Sequence, residues 1–384
     1  MSKISILTKA DIPGMLSLLD NAFPADEPFV TTWTHTCTPA PKDYKEHILI
    51  KDGEFVASHI GIYSLACKVD GALLKIGGIG AVSTHEKYRG KGHMNDLLLK
   101  ASELLKERKF DISWLGGDRK RYGNFGWENG GRVCKFIITS RYLGKCGEYS
   151  FRLYKGEKAL LNTLAELHSG EAFGLKRDNN LNRKLFGRRK RNTFLAFSGK
   201  QAAAYITLGV KGDQAQARML EYGGSFDGIA ALMKYAFETL KYERLEAVTP
   251  SAAGKYKTFF TDNSSQWQYD HNGDGMIKII DLFSMLKKFE KQLNLKARAS
   301  GLNGKHAVTL IMEGTGQKAT IEAGKQVRIT SKDAKVKIVL NEKEMVRLLF
   351  PLSVPSDWIE LPKGAGFLDL LFPLDFFLWP LEVI

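Results

Sequence analysis

No stretch of the 384 residues approaches the roughly 18 uninterrupted apolar positions that a membrane-crossing helix needs, so no membrane partner is expected. The opening Met-Ser-Lys-Ile-Ser-Ile lacks the apolar core and cleavage site of a secretory leader. Cysteine is scarce: Cys37, Cys67, Cys134 and Cys146 include no C-x-x-C pair. That excludes a disulfide framework, and neither His85 nor His93 stands at ligand spacing to them, so no metal is expected. Reduced thiols and a cytoplasmic location are the expectation. Acidic residues are outnumbered, 42 against 56 Lys and Arg, leaving a net charge of +14. Such a balance suits a polyanionic ligand or nucleic acid. It disfavours a strongly cationic partner unless carboxylates gather at its site. Neither G-x-G-x-x-G nor a Gly-Lys-Ser/Thr loop is present, which removes the two commonest phosphate-binding fingerprints.

What is present is concentrated between residues 80 and 127. An apolar strand (79–82) leads into Arg89-Gly90-Lys91-Gly92. An amphipathic helix follows, with Met94, Leu97, Leu98, Ala101 and Leu105 on one stripe. A second strand (112–115) and the segment Tyr122-Gly-Asn-Phe-Gly-Trp127 complete the unit. Strand, glycine turn and helix can hold a pyrophosphate: the turn frees backbone N–H groups, the helix adds its positive dipole end, and Arg89 and Lys91 add charge. Taken alone, the tetrad reads equally well as a solvated basic turn.

Arg89-Gly90-Lys91-Gly92-His93-Met94 resembles the Arg/Gln-x-x-Gly-x-Gly/Ala motif of the GCN5-related N-acetyltransferases (GNAT). Tyr122 to Trp127 resembles the Tyr-Gly-x-Phe-Gly-Tyr/Trp segment of the enhanced intracellular survival (Eis)-like family within them. Met94 departs from the general motif, and Eis-like proteins often carry a larger residue there too. The resemblance implies acetyl-CoA as donor and a primary amine, small or peptidic, as acceptor. It implies a pyrophosphate on Gly90, Lys91, Gly92, His93, Met94 and Asn95 beside Arg89, and a pantetheine arm along Val82, Ser83 and Thr84. Gly117 and Asp118 would line the far side of the cofactor. Tyr122 would be the acid that protonates the leaving thiolate, or else a tyrosine packed on Phe125 and Trp127. The chain's terminal carboxylate, on Ile384, would be the base, with Glu382 as the alternative. Asp26 and Glu27, ahead of Trp33, would line the amine site or form a charged loop.

The chain is too long for one ordinary domain. The expected fold class is α+β: two acetyltransferase-like mixed-sheet units followed by a sterol-carrier-protein-like unit. Residues 1–140 form the first, with a strand at 130–139 closing it. Residues 141–275 form a degenerate second copy without the Arg-x-x-Gly-x-Gly motif. It has paired strands at 194–197 and 202–208 and a helix at 226–240. Residues 276–384 form the third unit, with a helix at 282–293, short strands between 307 and 340, and an Asn341-x-x-Glu344 capping box. The apolar tail 376–384 is expected to dock rather than hang free. Two further features admit two readings each. The 270–281 segment matches an EF-hand-type calcium loop at Asp270, Asn272, Asp274 and Asp281, but carries Lys278 at position 9 and has no second copy. The basic run 176–191 reads as a solvated amphipathic helix or as a nucleic-acid patch. The latter motivates the alternative of a nucleic-acid-binding protein on a decayed transferase scaffold. A homo-oligomer is expected.

Overall fold

The computed structural model describes residues 3–25, 27–33, 39–211, 213–252, 254–271 and 275–383. Asp26, Ile384, Cys37 and the centre of the 270–281 segment therefore lie outside the described residues. Among those described, the strands form three mixed sheets of eight, seven and four strands.

The first sheet begins with β1 (Ile4–Ile6), β2 (His47–Asp52), β3 (Phe55–Val69) and β4 (Ala72–Thr84), antiparallel in succession. The β3–β4 turn sets Asp70 and Gly71 at φ of 49° and 88°, which the Asp-Gly pair tolerates and a tight hairpin requires. Helices α1 (Ile12–Ala22) and α2 (Phe29–Thr32) lie between β1 and β2 in sequence. After β4 the chain crosses over through α3 (His93–Glu107) and returns as β5 (Ile112–Gly116), parallel to β4. The stripe Leu97, Leu98, Ala101 and Leu105 is buried in the core beneath the sheet. The short α4 (Arg119–Gly123) and β6 (Glu128–Asn129) follow.

Two strands then trade sheets. The strand β7 (Arg132–Ile138), expected to close the first sheet, lies in the second, between Arg244–Pro250 and Gln266–His271. Gly131, at φ 85°, turns the chain out of the first sheet, and Val133, Cys134, Phe136 and Ile138 are buried in the second core. The strand Gly275–Ile279, at the start of the stretch expected to form the third unit, enters the first sheet between β5 and β6. Its uninterrupted burial is what a central strand demands.

The second sheet contains the expected hairpin, Arg191–Ser198 with Gln201–Lys211, and is backed by the helix Phe226–Glu238. The four-stranded sheet consists of His306–Met312, Gln317–Ala323, Arg328–Thr330 and Val336–Leu340. The helix expected over 282–293 breaks into Leu282–Lys288 and Glu290–Ala299. The capping box is formed: Asn341 Oδ1 accepts from the N–H groups of Lys343 and Glu344, both at 3.0 Å. Asp281 does similar work, accepting from Ser284 N–H at 2.8 Å to cap the helix Leu282–Lys288.

The tail is docked. Phe376, Phe377, Leu378, Trp379 and Leu381 are all buried. Phe377 and Trp379 enter the core of the second sheet, while Phe376 and Leu378 join the core shared by the first and third. Gly174, at φ 106°, leaves room for Trp379; a Cβ there would lie 2.7 Å from the indole. The basic run 176–191 is neither wholly solvated nor a free patch. Its helix, Asn179–Phe186, buries Leu185 and Phe186 as expected, but the flanking Arg177 and Arg188 are buried.

Candidate active site

Strands β4 and β5 pair only over Ile76–Ile112, Gly77–Ser113 and Gly78–Trp114. From Ile79 onward β4 has no strand on its β5 side among the described residues, and β5 ends at Gly116. The wedge that opens between them is occupied by two cavities, of about 710 and 530 Å³, sharing Phe23, Val82 and Arg121.

The larger cavity is lined by Val82, Ser83, Thr84, Arg89, Gly90, Gly92, His93, Met94 and Asn95, nearly the whole set expected to hold the cofactor. Gly90 and Gly92 sit at φ 77° and 81°, and a Cβ on either would meet nothing within 4 Å. Their glycine identity is therefore demanded by backbone conformation, and the space before them is open. Gly92 is the N-cap of α3 and no side chain caps that end, so the first-turn amides and the helix dipole face a site suited to an anion. Lys91 is not among the lining residues; its Nζ stands 4.5 Å from the centre of the Tyr88 ring.

The smaller cavity is lined by Phe29, Trp33, Tyr63, Ile79, Ala81, Gly117, Asp118 and Tyr122, with Glu27 as its other carboxylate. Tyr122 is 7% exposed. Its ring packs on Gly117, where a Cβ would lie 2.8 Å away. Burial raises the Tyr122 phenol above its usual range, against the opposing effect of Arg121, so it is protonated at neutral pH and able to donate. Asp118 accepts from Arg121 N–H at 2.7 Å and caps α4, which fixes Tyr122 on its short helix. Glu27 is paired with Arg189 at 2.6 Å.

Glu382 is not at the cavity. It is fully buried, accepting from Leu175 N–H at 2.8 Å, Trp379 N–H at 3.0 Å and Arg177 Nε at 2.8 Å. Arg177 also binds Glu221. Burial works against its charge, but the two carboxylates outweigh that and hold it protonated. His168, Glu221 and Glu382 form the one group with metal-ligand spacing among the described residues, and the Arg177 guanidinium already bonds both carboxylates. Arg188 links the tail to the cleft. It donates to Leu381 O and to Thr32 O, both at 3.0 Å, and its guanidinium stacks 4.5 Å from the Trp33 ring.

Several wall residues were not anticipated from sequence: Phe23, Phe29, Tyr63, Ala81 and Arg121. Two more stand behind the wall. His59 Nδ1 lies 2.8 Å from Ala81 O, and His59 Nε2 lies 3.0 Å from His47 Nδ1, both rings fully buried. Histidines in otherwise apolar strands were the available signal.

A wedge between parallel strands, with a glycine-turned helix N-terminus on one side and an aromatic pocket on the other, is an arrangement that suits an acyl-CoA and an acceptor beside it. Residues 3–130 match the acetyltransferase (GNAT) domain family. This match makes residues 3–130 an acetyltransferase domain, a class whose acyl donor is acetyl-CoA and whose acceptors are amines. No curated protein matches the chain. Among solved structures, a probable N-acyltransferase from Enterococcus faecalis V583 superposes with a TM-score of 0.70 at 14% identity, over 98% of this chain and 97% of that one. A GCN5-related N-acetyltransferase from Anabaena variabilis gives 0.69 at 15%, over 98% and 100%. Eis1 from Mycobacterium abscessus gives 0.60 at 10%, over 90% and 89%. At these identities the likeness is one of fold, and it extends along nearly the whole chain.

Proposed function

We propose that the chain transfers the acetyl group of acetyl-CoA directly to a primary amine held in the smaller cavity. The observation that carries this is the adjacency of the two cavities, which share Val82 and reach from the helix N-terminus at Gly92 to Tyr122. The amine nitrogen bonds to the acetyl carbon, the carbon–sulfur bond breaks, Tyr122 gives its proton to the leaving thiolate, and the amine's proton passes to a base. Support for Tyr122 as the acid comes from its place in the cavity wall and its protonated phenol.

Our candidate for the base is the terminal carboxylate of Ile384. The support is indirect: the tail is docked, and Arg188 ties Leu381 to Thr32 and Trp33 in the cavity wall. Glu382 has a different job, since both its oxygens are engaged in anchoring the tail. Asp26 and Trp33 are proposed to contact the acceptor. We further read the units expected at 1–140 and 141–275 as tandem acetyltransferase-like units that exchange the strands 132–138 and 275–279, and the rest of 276–384 as sterol-carrier-protein-like. The protein acting in the cytoplasm as a homo-oligomer belongs to the same reading.

The test is a panel of amines (monoamines, polyamines, aminoglycosides, lysine peptides) scored by the free thiol released from acetyl-CoA, with calorimetry for donor binding. Acetyl-CoA binding and amine-dependent thiol release are expected. No heat of binding at high micromolar acetyl-CoA would sink the reading.

A further inference from the structure

The wall between the two cavities contains a backbone irregularity. Ala81 has φ 53°, in the left-handed region that a residue with a Cβ seldom adopts. The β3–β4 register shifts here: His59 pairs with Ser83, but Gly61 pairs with Gly80. Such a bulge persists only where its surroundings hold it.

What holds it is a pair of buried histidines. His59 Nδ1 lies 2.8 Å from Ala81 O, and a carbonyl only accepts, so Nδ1 carries the proton. His59 Nε2 is then an acceptor, satisfied by His47 Nδ1–H at 3.0 Å. The tautomers of both rings are thereby assigned. Burial lowers the two imidazoles to about 3 for His59 and about 4 for His47, so both are neutral at working pH.

The peptide group is planar and trans, so its N–H points opposite to its C=O. With the Ala81 carbonyl bonded to His59, the N–H of Val82 points the opposite way within that plane, away from His59. Val82 lines both cavities at their junction, where the acetyl carbonyl must sit if acetyl-CoA runs from Gly92 towards Tyr122.

We propose that His59, backed by His47, is a positioning residue: by holding the Ala81 carbonyl it aims the Val82 N–H at the thioester oxygen, where negative charge develops. It does not touch substrate. This rests on the acetyltransferase reading above. Removing one donor of this kind costs about 10²- to 10³-fold in turnover, and losing its aim costs a part of that.

Two substitutions separate positioning from structure. In His59→Asn the amide nitrogen can occupy the place of Nδ1 and keep the bond to Ala81. In His59→Gln the amide oxygen can occupy the place of Nε2, accepting from His47 Nδ1–H and losing Ala81. Each variant is titrated with acetyl-CoA by calorimetry to count competent sites. Turnover per competent site is then measured with the best amine of the panel. The expected result is His59→Asn within about 3-fold of wild type and His59→Gln reduced roughly 10- to 100-fold in kcat, with both binding acetyl-CoA within about 3-fold of wild type. A residue needed only for folding would lower the count of competent sites and leave kcat per site unchanged. Equal kcat in the two variants, or a loss confined to KM, would overturn the proposal. Should His59→Gln not fold, a fully active His59→Leu or a His59→Asn reduced 10-fold or more in kcat would overturn it equally. A wild type that binds no acetyl-CoA would instead overturn the underlying reading.

Discussion

Valine at position 92 should damage acetyl-CoA binding far more than the loss of the Arg89 charge. Gly92 has φ 81°, where a β-branched residue is strained by about 1–3 kcal/mol. The protein itself has room, since a Cβ there meets nothing within 4 Å, so any steric loss beyond that strain falls on the ligand. Hydrogen bonds to a charged phosphate are each worth about 1.5–3 kcal/mol. Pushing the pyrophosphate off two first-turn amides therefore removes about 3–6 kcal/mol, or roughly 10²- to 10⁴-fold in Kd. Arg89 is exposed, its Nε 3.4 Å from Thr84 O, and alanine there should cost only about 1 kcal/mol, near fivefold. Gly199→Val controls for strain, because Gly199 also has positive φ and open space around it, and lies in the second sheet's hairpin. The assay is calorimetric titration with acetyl-CoA, with thermal unfolding alongside. Gly92→Val and Gly199→Val should lose comparable stability, and only the first should lose affinity. If Gly92→Val and Arg89→Ala both bind as wild type does, the pyrophosphate is not at this turn.

Tyr122→Phe should lower kcat about 10²- to 10⁴-fold with little change in acetyl-CoA affinity, because the hydroxyl acts only as the thiolate leaves; full turnover in a steady-state assay would reduce Tyr122 to packing. Two glycines added after Ile384 should displace the terminal carboxylate and leave the melting temperature near wild type, and acetylation at the wild-type rate would remove that carboxylate as the base. Glu128 joins Arg119 to Arg347; burial pushes its carboxyl up, but the two guanidinium bonds prevail and hold it at about 2, against an ordinary 4.5. Its stabilisation is therefore complete above pH 4.5 and is lost as pH falls through the folded value. The gap in melting temperature between wild type and Glu128→Gln should narrow across that window, and a gap independent of pH would contradict the linkage.

The half of the candidate site proposed for the cofactor was legible as one cavity lining because its residues are contiguous. Val82 to Asn95 is one strand end, one turn and one helix start, and local chemistry dictates each. The acceptor half was less so, since Phe23, Tyr63, Ala81 and Arg121 come from four separate segments and meet only through the sheet. The β4 bulge left no mark in the alternation of apolar residues, and nothing about Ala81 in sequence suggests a positive φ. Strand positions were read well, while their membership was not. The pattern 132–138 identifies a strand buried on alternating positions, but which sheet it joins depends on partners more than 100 residues away. Arg177 shows the same limit: in sequence it is one cation in a basic run, and only folding reveals it as the charge between two buried carboxylates.

The exchange of strands has a topological consequence. Because Gly275–Ile279 lies antiparallel to β6, with Met276 opposite Asn129, the stretch between them is an excursion that leaves the first sheet, touches it again only where Phe173–Leu175 pairs with β3, and returns beside its point of departure. A protein cut after residue 130 would lack an interior strand of its own catalytic sheet, so the catalytic half does not exist as an autonomous fragment. Conversely, a two-residue turn joining 129 to 276 would restore an unbroken hairpin in that sheet. In sequence, the second sheet is thus enclosed between two strands that are paired in the first.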